Sequence, residues 1–195
     1  MRIAVIAVGS RMPRWVNDAF EEYAKRMPKH MTLELVEIKP EPRSSGKSAE
    51  LLCEAEALRI SQACPKDCMR IALDERGKEM STHAFAQWLG QATMEERNLA
   101  FLIGGADGLA PKLKQSAQML LRLSAFTLPH GLARVVLAEQ LYRAILKAEP
   151  DHPETLHCLG LVCAQQNRTE EAVKLIRKSV QRKPAMVEAH APGLP

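Results

Sequence analysis

Apolar runs of strand length, separated by stretches of helical periodicity, fill the first 144 positions. Arg2 to Val8 is almost continuously apolar and stops at Gly9, the pattern of a parallel strand buried on both faces. Pro13 suits the first turn of a helix running to about Met27, with Trp15, Phe20 and Tyr23 adding apolar surface before Pro28. Thr32 to Ile38 alternates apolar with polar residues and completes a βαβ unit. A helix is predicted over Ala49 to Ala63, closed by Pro65, and a short strand over Met69 to Leu73. The polar turn Asp74 to Gly77 places Leu73 at a pocket rim. Ser81 or Thr82 caps a helix through Trp88 and Leu89, and Asn98 to Gly104 is the central strand.

Phe101 to Ala144 organises the rest. A strand that stops at Gly104 and Gly105 lets the backbone approach a ligand without side-chain obstruction. Ligands of open α/β sheets gather outside the carboxyl ends of the strands. A second apolar run, LSAFTLPH, reads as another strand end broken by proline, and an amphipathic helix follows. GGADG is not G-x-G-x-x-G and no Gly-Lys-Ser/Thr follows, so neither a dinucleotide fingerprint nor a P-loop is present. A small-molecule pocket and a bare loop before a helix both fit.

Composition adds little to this picture. With 195 residues, 46% hydrophobic and 26% charged, the chain is ordinary globular material, large enough for one core and a small second module. No run reaches membrane-span length and the N-terminus has no signal-peptide cleavage context, so a cytoplasmic protein is expected. A formal excess of only +4 leaves RNA contact to local patches. One candidate is Lys39 to Lys47, KPEPRSSGK, an RNA-facing loop or a solvated connection. Five cysteines argue against a disulfide framework. Cys64/Cys68 and Cys158/Cys163 lack tight zinc-knuckle spacing, and no metal site is expected.

MRIAVIAVGSRMPRWV, FEEYAKRMP and LELVEI, then IGGADGL, LSAFTLPH and LARVVLAEQLYRA, in this order and spacing, resemble the bacterial ribosomal RNA large subunit methyltransferase H family from Met1 to about Ala144. The resemblance implies a SPOUT-type α/β fold, a parallel sheet whose C-terminal part is tied in a deep trefoil knot that binds S-adenosylmethionine. It further implies a homodimer that methylates N3 of a pseudouridine in large-subunit ribosomal RNA of the assembled ribosome. Leu73, Gly104, Gly105 and the run Ser124, Ala125, Phe126, Thr127, Leu128 and Pro129 match the family's cofactor-contacting positions. Ala106 and Asp107 stand where Pro-Glu is usual. Methylating an imide nitrogen needs a proton acceptor and orientation. His130, as cap or base, and Arg134, gripping phosphate or polarising the uracil, are the candidate catalytic residues. Glu139 and Arg143 read equally well as structural.

After Ala144 the family's Tyr-His tail is absent. His152 and Pro153 persist, but Glu154, Thr155 and Leu156 follow. Residues 145–186 instead resemble one tetratricopeptide repeat, with Leu156, Leu159, Gly160, Cys163, Ala172, Ile176, Ser179 and Pro184 at signature positions, before a flexible tail over 187–195. Such repeats need neighbours to bury their faces, so an all-α hairpin with a protein partner or a packing surface is implied. The alternative to an active methyltransferase is a knotted cofactor-binding or protein-interaction fusion that has lost catalysis with the tail.

Overall fold

The computed structural model describes residues 1–43, 46–148, 156, 160–161, 163–164 and 168–182. The chain divides into two compact units, Met1–Arg143 and Ala144–Pro195.

In the first unit, β1 (Arg2–Val8), α1 (Arg14–Lys25), β2 (Thr32–Ile38), α2 (Ala49–Ala63), β3 (Cys68–Glu79), α3 (Thr82–Met94), β4 (Asn98–Ile103), α4 (Pro111–Ser116) and β5 (Met119–Arg122) follow in order, and α5 (His130–Ala148) begins there and runs past Arg143 into the second. The five strands form one sheet in the order β2-β1-β4-β3-β5, and every pairing is parallel. All their carboxyl ends therefore lie on one edge.

Residues 3–8 of β1 are at most 1% exposed, as a strand flanked on both sides and covered on both faces must be. One face packs Ala4, Ile6, Val8, Ala72, Ala100 and Leu102 against Cys53 and Ile60 of α2 and Leu113 of α4. On the other, Phe85 and Trp88 of α3 meet Phe101 of β4 edge-on, with ring centroids 6.4 Å apart. α3 reaches α5 through Thr82 Oγ1, which donates to Gln140 Oε1 at 3.0 Å, and α5 reaches α1 through Tyr142 and Tyr23, 6.1 Å between centroids. Two helical layers thus enclose the sheet.

Ser81, not Thr82, caps α3, its hydroxyl accepting from Ala84 N at 3.2 Å; Ser48 caps α2 in the same way. Two expectations need correcting. β3 does not end at Leu73. It bulges out over residues 74–77 and resumes, so that Leu73 and Lys78 both register with Leu121. The strand next to it is Met119–Arg122, while LSAFTL is irregular backbone, because this apolar run lines a cleft and does not pair in the sheet.

Cys64 and Cys68 sulfurs lie 3.4 Å apart at the opposite, amino-terminal edge. Burial, followed by the hydrogen bond with Cys64, pushes the Cys68 thiol up to about 12.

In the second unit the helix Thr169–Arg182 carries Ala172 and Ser179 in buried positions, and Leu156 and Cys163 are buried too. A Cβ on Gly160 would stand 2.5 Å from Ile176 Cγ1 and 3.2 Å from the Ala172 carbonyl oxygen, so only glycine allows this approach. Leu159, Pro184, the His152–Pro153 pair, Cys158 and the expected tail lie outside the described residues. Among the described residues no helix is long and apolar enough to cross a membrane.

Candidate functional site

At the carboxyl edge of the sheet a cleft of about 860 Å³ opens between the end of β4, the β3 bulge and the segment leading into α5. Its volume suits a drug-sized or nucleoside-sized molecule. Leu73, Gly104, Gly105, each residue of Ser124 to Pro129, and His130 line it. Positions up to 57 apart in sequence are brought together because three parallel strands end at one place.

The turn after β4 is closed tightly. Gly108 N donates to Gly105 O at 3.0 Å, and Gly108 takes φ +82°, a left-handed conformation that a side chain disfavours. The glycines before it also meet a packing demand. A Cβ on Gly104 would lie 2.4 Å and 2.5 Å from the carbonyl carbon and oxygen of Gly108, and one on Gly105 would lie 2.9 Å from Glu56 Oε2. Both missing side chains would point at protein, so the glycines let the turn fold on itself and leave its main chain bare toward the cleft.

The second wall, from Ser124 to Pro129, is braced by two hydrogen bonds. Arg122 Nε donates to Ser124 O at 3.0 Å and Phe126 N donates to Ser124 Oγ at 2.9 Å. Phe126 itself is 84% exposed. A flat aromatic side chain at a cleft mouth offers a stacking surface.

A third wall was missed from sequence. Asp74, in the bulge, accepts from Lys114 Nζ at 2.9 Å and from Arg76 N at 2.9 Å, and Asp74 and Lys114 both line the cleft. The polar turn at a strand end was the available signal; Lys114, 40 residues on, had none. Burial pushes the Asp74 carboxyl up, but the Lys114 ammonium and the Arg76 amide outweigh it and hold the group below the usual carboxylate range. A carboxyl lowered by folding takes up fewer protons than in the unfolded chain. The pair therefore stabilises the fold above the unfolded value near 3.9, and this contribution disappears as pH falls through the lower folded value. In Lys114→Met, stability should fall less steeply between about pH 5 and pH 2 than in the unaltered chain; urea midpoints across that range read it, and parallel curves would show that the pair contributes nothing.

Arg134 does not line the cleft. It is fully buried, with Nη1 donating to Glu37 Oε1 at 2.7 Å and Nη2 to the carbonyls of Gly9 at 2.8 Å and Val8 at 3.2 Å. The expected grip on phosphate or on a uracil does not fit a guanidinium with no exposed surface. Its place fits a brace that fixes the first turn of α5, which brings His130 and Ala133 to the cleft, against the end of β1. Arg143 and Glu139 pair with each other along α5.

A family model described as "Predicted SPOUT methyltransferase" matches residues 1–152. The chain belongs to the SPOUT methyltransferase family. Within it, the chain is 53% identical over 154 residues to "Ribosomal RNA large subunit methyltransferase H" of Ralstonia nicotianae, covering 78% of this chain and 99% of the relative. The protein of the same name from Paraburkholderia xenovorans is also 53% identical, with the same coverage. Among solved structures, "a probable methylase family protein from Haemophilus influenzae Rd KW20" overlays with TM-score 0.46 and 14% identity, over 96% of this chain and 97% of its own, too slight a likeness to bear on the assignment. Residues 153–195 extend past the SPOUT methyltransferase match.

Proposed function

We propose that this chain transfers a methyl group from S-adenosylmethionine to N3 of a pseudouridine in 23S ribosomal RNA of the assembled ribosome. The observation that carries the reading is the 53% identity to a methyltransferase H aligned over 99% of its length. The cleft supports it. Leu73, Ile103, Leu121 and Leu128 provide apolar walls for a flat base, and the bare main chain of the glycine turn provides hydrogen-bonding groups beside them. When bound there, the cofactor supplies an electrophilic methyl on a sulfonium.

The protein's own share is orientation and removal of the imide proton. His130 stands on the cleft wall at the start of α5 and is the candidate proton acceptor. Arg134 acts at one remove, by holding that turn of α5 in place. Phe126 offers its ring to a base entering the cleft.

Three further features belong to the proposal. The C-terminal part of the sheet forms the trefoil knot of the family. The enzyme works as a homodimer, and Trp15 and Leu132, exposed on the first turns of α1 and α5, supply apolar surface for it. Gly131 packs on Val16, which puts those two turns side by side. The second unit is a tetratricopeptide-type hairpin, a reading supported by the burial of Leu156, Cys163, Ala172 and Ser179 at its signature positions, and docking of a protein partner is the role such a hairpin would serve.

The test is transfer of labelled methyl from S-adenosylmethionine to ribosomes lacking the modification, with a methyltransferase H of ordinary length as control. Transfer by the full chain to N3 of a 23S pseudouridine is expected. A silent full chain beside an active control would overturn the reading.

A further inference from the structure

The β2–α2 connection, which by composition reads as an RNA-facing loop or a solvated connection, is fastened at several points. The Glu41 carboxylate, 8% exposed, pairs with Arg59 and lies 3.8 Å from Lys47 Nζ, and Glu41 N donates to Glu56 Oε1 at 3.0 Å. Glu56 is only 5% exposed, and its Oε2 sits behind Gly105 of the cleft turn. One turn earlier in α2, the Cys53 sulfur lies 3.7 Å and 3.8 Å from the carbonyl oxygens of Asp107 and Gly108. α2 thus supports the glycine turn from behind.

The front of that turn has a different anchor. Ala106, Asp107 and Gly108 are exposed. Of the three, Ala106 has a side chain too short to reach a polar partner and Gly108 has none. Asp107 accepts from Arg43 of the β2–α2 connection, Nη2 to Oδ2, at 2.6 Å. Asp107 lines the cleft and Arg43 does not.

We propose that Arg43 is a positioning residue for the methyl donor, acting through Asp107 to hold the tip of the Gly104–Gly108 turn in its binding geometry. The inference rests on the methyl-donor reading of the cleft. It assigns the β2–α2 connection to the cofactor site as its outer support. Without the guanidinium, a turn containing three glycines samples more conformations, and binding must select among them.

Calorimetric titration of the full chain with S-adenosylhomocysteine tests this. Arg43→Met and Asp107→Asn should each weaken binding by about threefold to fivefold, the scale of a partly exposed ion pair, and the double variant should be no weaker than either. The unliganded thermal midpoint should stay where it is. The loss in Arg43→Met should shrink in about 1 M salt, where the unaltered pair is itself screened. Full affinity in Arg43→Met, or a further loss when it is added to Asp107→Asn, overturns the proposal while leaving the cleft assignment standing. Failure of the unaltered chain to bind at all overturns both.

Discussion

Arg134→Met lowers the stability of the first unit by about 2–4 kcal/mol, somewhat under the usual cost of breaking a fully buried ion pair because Glu37 keeps some contact with water. Methionine replaces the volume but none of the three hydrogen bonds. The carbonyls of Val8 and Gly9 lose a charged donor and Glu37 is left without its cation. Arg134→Lys should recover only part of the loss, since one ammonium cannot span a carboxylate and two carbonyls as the planar fork does. Urea unfolding followed by tryptophan fluorescence reads the effect, because both tryptophans, Trp15 and Trp88, belong to this unit. Unchanged unfolding with lost methyl transfer would instead put Arg134 on the substrate.

The second large effect is expected at the turn after β4. In Gly104→Ala the new methyl would stand within 2.8 Å of three backbone atoms, in Gly108 and Leu109, none of which is the mobile end of a side chain. The turn has to open. We expect a stability loss of about 2–4 kcal/mol, the scale of overpacking at a rigid site, and S-adenosylhomocysteine affinity reduced at least tenfold. Gly108→Ala is the matched comparison, because a Cβ there meets nothing within 4 Å and the only obstacle is φ +82°. It should cost about 1–2 kcal/mol. If Gly104→Ala proves as mild as Gly108→Ala, the close approach of the two backbone segments is not what demands glycine.

How much of this was readable in the residues depends on whether the information is local. β1 and β4 are apolar runs because strands enclosed on all sides have no polar face to show, and their ends are marked by glycine. The cap at Ser81 and the helix over Ala49–Ala63 also follow from nearby residues, whereas Asp74–Gly77 shows locally only as a polar turn, and that the strand resumes at Lys78 depends on its pairing with Leu121. LSAFTL misleads because hydrophobicity does not distinguish a strand from a cleft-lining segment: Leu121, just before it, is buried in the sheet, while Phe126 is almost wholly exposed. Arg134 misleads for a deeper reason. A lone arginine in an amphipathic helix ordinarily points to solvent or to a ligand, and the acidic partner that buries it lies 97 residues away. Nor can spacing pair Lys114 with Asp74 or Arg43 with Asp107, since each pair meets only when strands far apart in sequence end on the same edge.

The distance in sequence between Arg134 and the end of β1 also sets an order of events during synthesis. β1 can pair with β2 as soon as residue 38 is available, but Gly9 and Val8 wait 125 and 126 residues for the guanidinium that binds their carbonyls. At roughly 5–20 residues per second, the 96 residues from Ile38 to Arg134 take about 5–19 seconds of translation. For that interval the nascent sheet holds a strand end whose final partner does not yet exist, so ribosome-bound intermediates should be most open to proteases and chaperones at the same edge that later forms the cleft.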